Sequence, residues 1–199
     1  MNHLLSMKKE CGLRDADVLG DLLQPCDAGR DYVTGDNNYV WLYLLGKLVR
    51  PRSIVETGTR FGYSLLSFMS GSGIHPKHFR IWCCDDDSDG IDSLTVFNRY
   101  FLNTLMVRDL TRVCRDTAAV SDTGVRDADL AFVDALHTAD GCYHECRLLW
   151  KSLRSGGVLV IDDIDNDDVL QGALRFLREI GRLPWHIPSL RGLYVLQKG

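Results

Sequence analysis

Ser53-Ile-Val-Glu-Thr-Gly-Thr-Arg-Phe-Gly-Tyr-Ser64 is the stretch that decides the architecture. Ile54 and Val55 open a β-branched strand that ends at an acid, Glu56. Gly58 and Gly62 then make a turn, and an apolar helix from Ser64 to Met69 closes at Gly71-Ser-Gly73. Strand, glycine turn and helix in that order expose bare backbone at the carboxyl end of a strand, because glycine has no Cβ and tolerates positive φ. Ligands of open α/β sheets bind outside such ends. The spacing Gly-x-x-x-Gly differs from the dinucleotide fingerprint, and no P-loop lysine follows. Taken alone, the turn also suits an ordinary strand-to-helix connection.

Outward from this turn, strand and helix patterns alternate. Phe79 to Cys84 reads as the next strand and runs into Asp85-Asp86-Asp87. A carboxylate at that tip can accept both hydroxyl protons of a ribose, so Asp85 and then Asp86 are candidates, beside the reading of a solvated acidic turn. Ile91 to Leu105 reads as a helix, with Leu94, Phe97, Phe101 and Leu105 on one stripe, and Thr111 to Cys114 as a strand. Asp129 to Asp134 is a strand ending in an acid, Ala139 to Leu153 a helix, and Val158 to Ile161, after Ser155-Gly156-Gly157, a strand ending in Asp162-Asp163. A helix from Asp167 to Ile180 follows. Trp185 to Ser189 and Leu193 to Gln197 flank Arg191-Gly192 as a closing antiparallel hairpin. This order predicts a Rossmann-like, doubly wound α/β fold with a mostly parallel seven-stranded sheet and helices on both faces. Upstream, Asn38 to Val49 has helical spacing and Pro51 ends it. Residues 38–199 are expected to form one domain, and residues 1–37 a cover for substrate or a contact in an oligomer.

Composition narrows the class of partner. The chain has 199 residues, a formal net charge of -4 and a pI of about 5.8, which gives no overall basic footprint for nucleic acid. Its seven cysteines form no Cys-x-x-Cys pair, so reduced thiols in a cytoplasmic compartment are the expectation. No leader pattern and no run of about 18 apolar residues stands in the sequence.

Asp134, Asp162 and Asp163 should meet at the tips of neighbouring strands. Carboxylates at such close quarters suit Mg2+, a hard cation that takes oxygen ligands and offsets their repulsion. A solvated acidic loop capping the next helix is the other reading of Asp162 to Asp168. Cys142, His144 and Cys146 with His137 do not make a zinc set, since Cys142 and Cys146 share a helix face that His144 does not.

Glu56-x-Gly58-x-x-x-Gly62-x-Ser64 resembles the first motif of class I S-adenosylmethionine-dependent methyltransferases, particularly the small O-methyltransferases. Phe132-Val-Asp-Ala-Leu-His137 and Leu153-Arg-Ser-Gly-Gly-Val-Leu-Val-Ile-Asp-Asp163 resemble the magnesium-dependent O-methyltransferases of natural-product sugars and the cephalosporin-pathway methyltransferases. The likeness covers about residues 38–165. It implies that Glu56, Gly58, Thr59, Arg60, Gly62, Ser64, Asp85, Asp86, Asp116, Thr117 and Asp134 surround S-adenosylmethionine. It further implies that Asp134, Asp162 and Asp163 hold Mg2+, and that His137, aided by Asp134, removes a proton from a small-molecule hydroxyl. Leu136 stands where many members carry a second acid, which moves that task to His137. A metal-independent transferase using His137 alone, and a non-catalytic adenosyl-ligand-binding protein, are the competing readings. An Asn/Asp-Pro-Pro-Tyr signature of nucleic-acid amino methylation is absent. A compact domain with a short covering segment is expected to borrow a second copy, as a homodimer, to close its site.

Overall fold

A computed structural model describes residues 38–60, 62–85, 109–114 (backbone alone for 110–114) and 124–199. Residues 1–37, the expected helix of Ile91 to Leu105, and Asp86, Asp116 and Thr117 lie outside the described residues.

Helix α1, Asn38–Val49, buries Val40, Trp41, Leu42, Leu44 and Leu45. The chain leaves it through Arg50, at φ 50, and meets Pro51, which cannot continue a helix. Strand β1, Ser53–Thr57, is buried along its whole length, its polar Glu56 and Thr57 included. Helix α2, Tyr63–Ser72, runs through Gly71 and ends at left-handed Gly73. Gly71, read from sequence as part of a terminator, is instead a crossing point. A Cβ there would lie 1.9 Å from the Tyr43 carbonyl oxygen, so α1 and α2 touch backbone to backbone.

After a short 3-10 turn, the chain adds β2, Arg80–Asp85, β3, Asp109–Cys114, and β4, Ala128–Val133. Helix α3, Ala139–Ser152, starts at Thr138, whose hydroxyl accepts the Gly141 amide at 3.1 Å. Strand β5, Leu153–Ile161, begins earlier than the Val158 expected from sequence. It pairs with β4 at Leu153 and again from Val158, and Ser155-Gly156-Gly157 form an irregularity inside the strand with Gly156 at φ +76. Helix α4, Asp167–Ile180, is capped by Asn166, which leaves Asp167 and Asp168 in the first turn, where the helix dipole favours them. Strands β6, Trp185–Ile187, and β7, Leu193–Gln197, complete the chain.

The sheet runs β3-β2-β1-β4-β5-β7-β6, parallel from β3 through β5, with β7 antiparallel to β5 and β6 antiparallel to β7. It is a Rossmann-like α/β fold. Period-two alternation sends Leu130 and Phe132 of β4 to a core with α1 and α2, and Ala131 and Val133 to a second core with α3 and α4. Helices therefore cover both faces. The chain order reverses between β1 and β4, so the crevice for a ligand lies above the carboxyl ends of those two strands. Among the described residues, no helix is long and apolar enough to cross a membrane.

Candidate functional site

At the tip of β1 the turn is built for contact. Gly58 has φ +76, and a Cβ on it would lie 2.0 Å from the Asp134 carbonyl oxygen and 2.8 Å from the Ala135 nitrogen. Only glycine lets the loops after β1 and β4 meet in this way. The Gly58 amide donates to the Cys84 carbonyl at 2.9 Å and the Gly62 amide to that of Thr59 at 2.6 Å, which closes the turn. Arg60, at φ 45, donates its backbone amide to the Asp85 carboxylate. Asp85 thus stands at the β2 tip beneath the glycine turn. Glu56 is fully buried and accepts the Ser64 hydroxyl, which ties β1 to the first turn of α2. Burial pushes its carboxyl up to about 8, with the Ser64 and Thr59 hydroxyls opposing the shift.

The second half of the site gathers four separate segments. Asp134 follows β4, and burial, then the Asp162 charge, holds its carboxyl well above the usual range. His137 Nε2 lies 2.7 Å from Asp163 Oδ2 and 3.9 Å from Asp134 Oδ1, with about half of its side chain exposed. The Asp163 hydrogen bond is the main cause that raises the His137 pKa, and partial burial opposes it. Asp163 adopts the left-handed region at φ 56, and both Asp162 and Asp163 face Arg191. Asp162 turns into the protein. Its Oδ1 accepts Asn38 Nδ2 and, at 2.8 Å, the Asp163 amide, while its Oδ2 receives Arg191 Nη2 at 3.1 Å. Burial, opposed by Arg191, brings the Asp162 pKa up to about 6. Arg191 also reaches Asp163, with Nε 3.1 Å from Oδ1.

Three of these residues escaped sequence reasoning. Glu145, 1% exposed, accepts the Leu136 amide at 3.1 Å and so anchors the loop that carries His137. Burial pushes its carboxyl up to about 7. Its signal was present, since an acid at position 145 falls on the apolar stripe of Cys142, Cys146 and Leu149. Asn38 was read as the start of a helix and Arg191 as part of a turn, and neither pattern hints at a shared pocket.

Among the described residues, the group that could hold a metal comprises Asp134, His137 and Asp163, whose ligand atoms lie within 4.8 Å of one another. The tripod expected from sequence also needed Asp162. Both Asp162 oxygens already take hydrogen bonds from within the protein, and a guanidinium faces Asp162 and Asp163 together. Asp162 is thus turned to Arg191 and Asn38, and the three-carboxylate set expected from sequence is not assembled. Cys142 and Cys146 are buried, with their sulfurs 3.9 Å apart, in the second core.

A family model described as a methyltransferase domain matches residues 55–164, more than half of the chain and the very span from β1 to the loop after β5. The chain belongs to this methyltransferase family. Solved structures agree on the fold. The O-methyltransferase of Bacillus cereus, in complex with SAH, is 17% identical with a TM-score of 0.66, and the match covers 97% of this chain and 96% of that one. The O-methyltransferase TomG of Streptomyces achromogenes, involved in tomaymycin synthesis and solved with SAM, is 22% identical with a TM-score of 0.64, covering 92% and 90%. The SAH-bound methyltransferase PaMTH1 of Podospora anserina is 16% identical with a TM-score of 0.64, covering 94% and 89%. No curated protein sequence matches the chain.

Proposed function

We propose that this methyltransferase is an S-adenosylmethionine-dependent O-methyltransferase acting on a hydroxyl of a small molecule such as a sugar, a polyketide or a phenol. The observation that carries the reading is the contact of Gly58 with the backbone at Asp134, which sets a donor cradle against a loop presenting a carboxylate-braced imidazole. S-adenosylmethionine supplies an activated sulfonium methyl group, so the protein's work is to align an oxygen with it and to remove a proton. Backbone from Gly58 to Gly62 suits the amino-acid end of the donor, Asp85 the ribose, and Asp134 the positive charge nearby. Asp86, Asp116 and Thr117 are assigned to the adenosine side on sequence alone.

Asp163 holds Nε2–H of His137, which leaves Nδ1 with the lone pair that accepts the hydroxyl proton. As the oxygen attacks the methyl carbon, the carbon–sulfur bond breaks and the proton rests on His137, where Asp163 stabilises the imidazolium. Glu56 takes no part in proton transfer. Buried against Ser64, it braces the turn. Residues 38–199 supply this machinery, and residues 1–37 are proposed as the cover over the acceptor. Calorimetry with S-adenosylhomocysteine, followed by a screen of hydroxylated acceptors, tests the reading. Binding of that ligand with methyl transfer lost in His137→Ala is expected. Absence of binding overturns it.

A further inference from the structure

We infer that Arg191 is a built-in counter-ion that takes the place of a divalent metal in this acidic pocket, so that the pocket is not a functional Mg2+ site. This inference rests on the pocket's own geometry and refines the proposed transfer by assigning the charge that neutralises its carboxylates.

Arg191, whose side chain is 45% exposed, sits on a backbone fixed by hydrogen bonds. Its carbonyl accepts the Asp165 amide at 3.0 Å, and the Gly192 carbonyl accepts that of Ile164 at 3.4 Å. Gly192 has φ +70, and a Cβ there would meet Ile164 Cγ1 at 2.7 Å, so the turn between β6 and β7 is pressed onto the loop after β5. From that anchor the guanidinium forks across two carboxylates. Nη2 lies 3.1 Å from Asp162 Oδ2, Nε 3.1 Å from Asp163 Oδ1, and Nη1 3.5 Å from Asp163 Oδ2. The contact with Asp162 is a charge-assisted hydrogen bond and that with Asp163 Oδ1 an ion pair.

Charge completes the case. Arg191 sets one fixed positive charge across the Asp162 and Asp163 carboxylates, at the place where a cation would otherwise face them. Asn38 and the Asp163 amide both donate to Asp162 Oδ1, while Oδ2 faces the guanidinium. A dication entering here must break the Arg191 pairs and then sit beside the displaced guanidinium.

Titration of Mn2+ into the native protein, Arg191→Met and Arg191→Lys, followed by calorimetry and by the Mn2+ electron paramagnetic resonance signal, tests this. Native protein and Arg191→Lys should take up no Mn2+ tighter than about 1 mM, the weak end of carboxylate sites. Arg191→Met, with the pocket opened, should gain at least about tenfold in Mn2+ affinity. S-adenosylhomocysteine binding reports folding in each variant. Uptake of Mn2+ by the native protein below about 0.1 mM overturns the inference. So does an Arg191→Met protein that binds S-adenosylhomocysteine and gains no Mn2+ affinity. If Arg191→Met does not fold, the native and Arg191→Lys titrations decide alone. Failure of native protein to bind S-adenosylhomocysteine counts against the transferase reading and leaves the metal result standing.

Discussion

The two halves of the site are made differently. The half proposed to hold the donor, Glu56 to Ser64 with Asp85, is one local turn and the strand beside it, held by hydrogen bonds such as those from the Gly58 and Arg60 amides. The acid half collects Asn38, Asp134 to His137, Asp162 with Asp163, and Arg191 from four parts of the chain. Backbone conformation specifies the first, and charge neutralisation between distant segments specifies the second. The two meet at Gly58, which lies against the Asp134 carbonyl.

The largest expected effect breaks that meeting point. Gly58→Val puts a β-branched side chain at φ +76 and within 2.0 Å of backbone, so S-adenosylhomocysteine binding should be abolished and the melting temperature should fall sharply. Native-like binding by this variant would mean that the two halves are not coupled there. Next comes His137→Ala, which spares the donor half. It should lower methyl transfer by about 10²- to 10⁴-fold while calorimetry shows unchanged S-adenosylhomocysteine affinity.

Glu145→Ala probes the anchor beneath the acid half. It leaves the Leu136 amide without its acceptor and should cost about 1–3 kcal/mol in denaturant unfolding, with Glu145→Gln recovering most of it. The smallest effect, read per pH unit, concerns Glu56 beside the glycine turn. Its folded pKa, about 8, exceeds its ordinary value of 4.5, so the folded state holds a proton that the unfolded chain gives up. Stability should therefore fall as pH rises from about 4.5 to about 8, by at most about 1.4 kcal/mol per pH unit from this group. Urea unfolding at three pH values checks it, and Glu56→Gln should flatten that slope. An unchanged slope would place the charge elsewhere.

Legibility followed the same division. The glycine turn and the acids ending β1, β2, β4 and β5 were readable because each depends on neighbours in sequence. The course of β5 was less so. Sequence placed its start at Val158, but pairing with β4 already holds at Leu153, and Gly156 and Gly157 absorb the irregularity. Gly71 misled for a related reason. A glycine that ends a helix and one that admits a neighbouring backbone look alike until the neighbour, here Tyr43, is in place.

By itself, the sequence determined the alternation of strands and helices, the doubly wound α/β class, the glycine turn after β1 and the presence of acids beside a histidine, since periodicity, glycine conformation and strand-end chemistry are local properties. Only the tertiary structure decided what those acids face. The packing of the turn between β6 and β7 onto the loop after β5 brings Arg191 onto both Asp162 and Asp163. Coulomb attraction acts through space and takes no account of separation along the chain, so the partner of a buried carboxylate emerges only when the fold has closed.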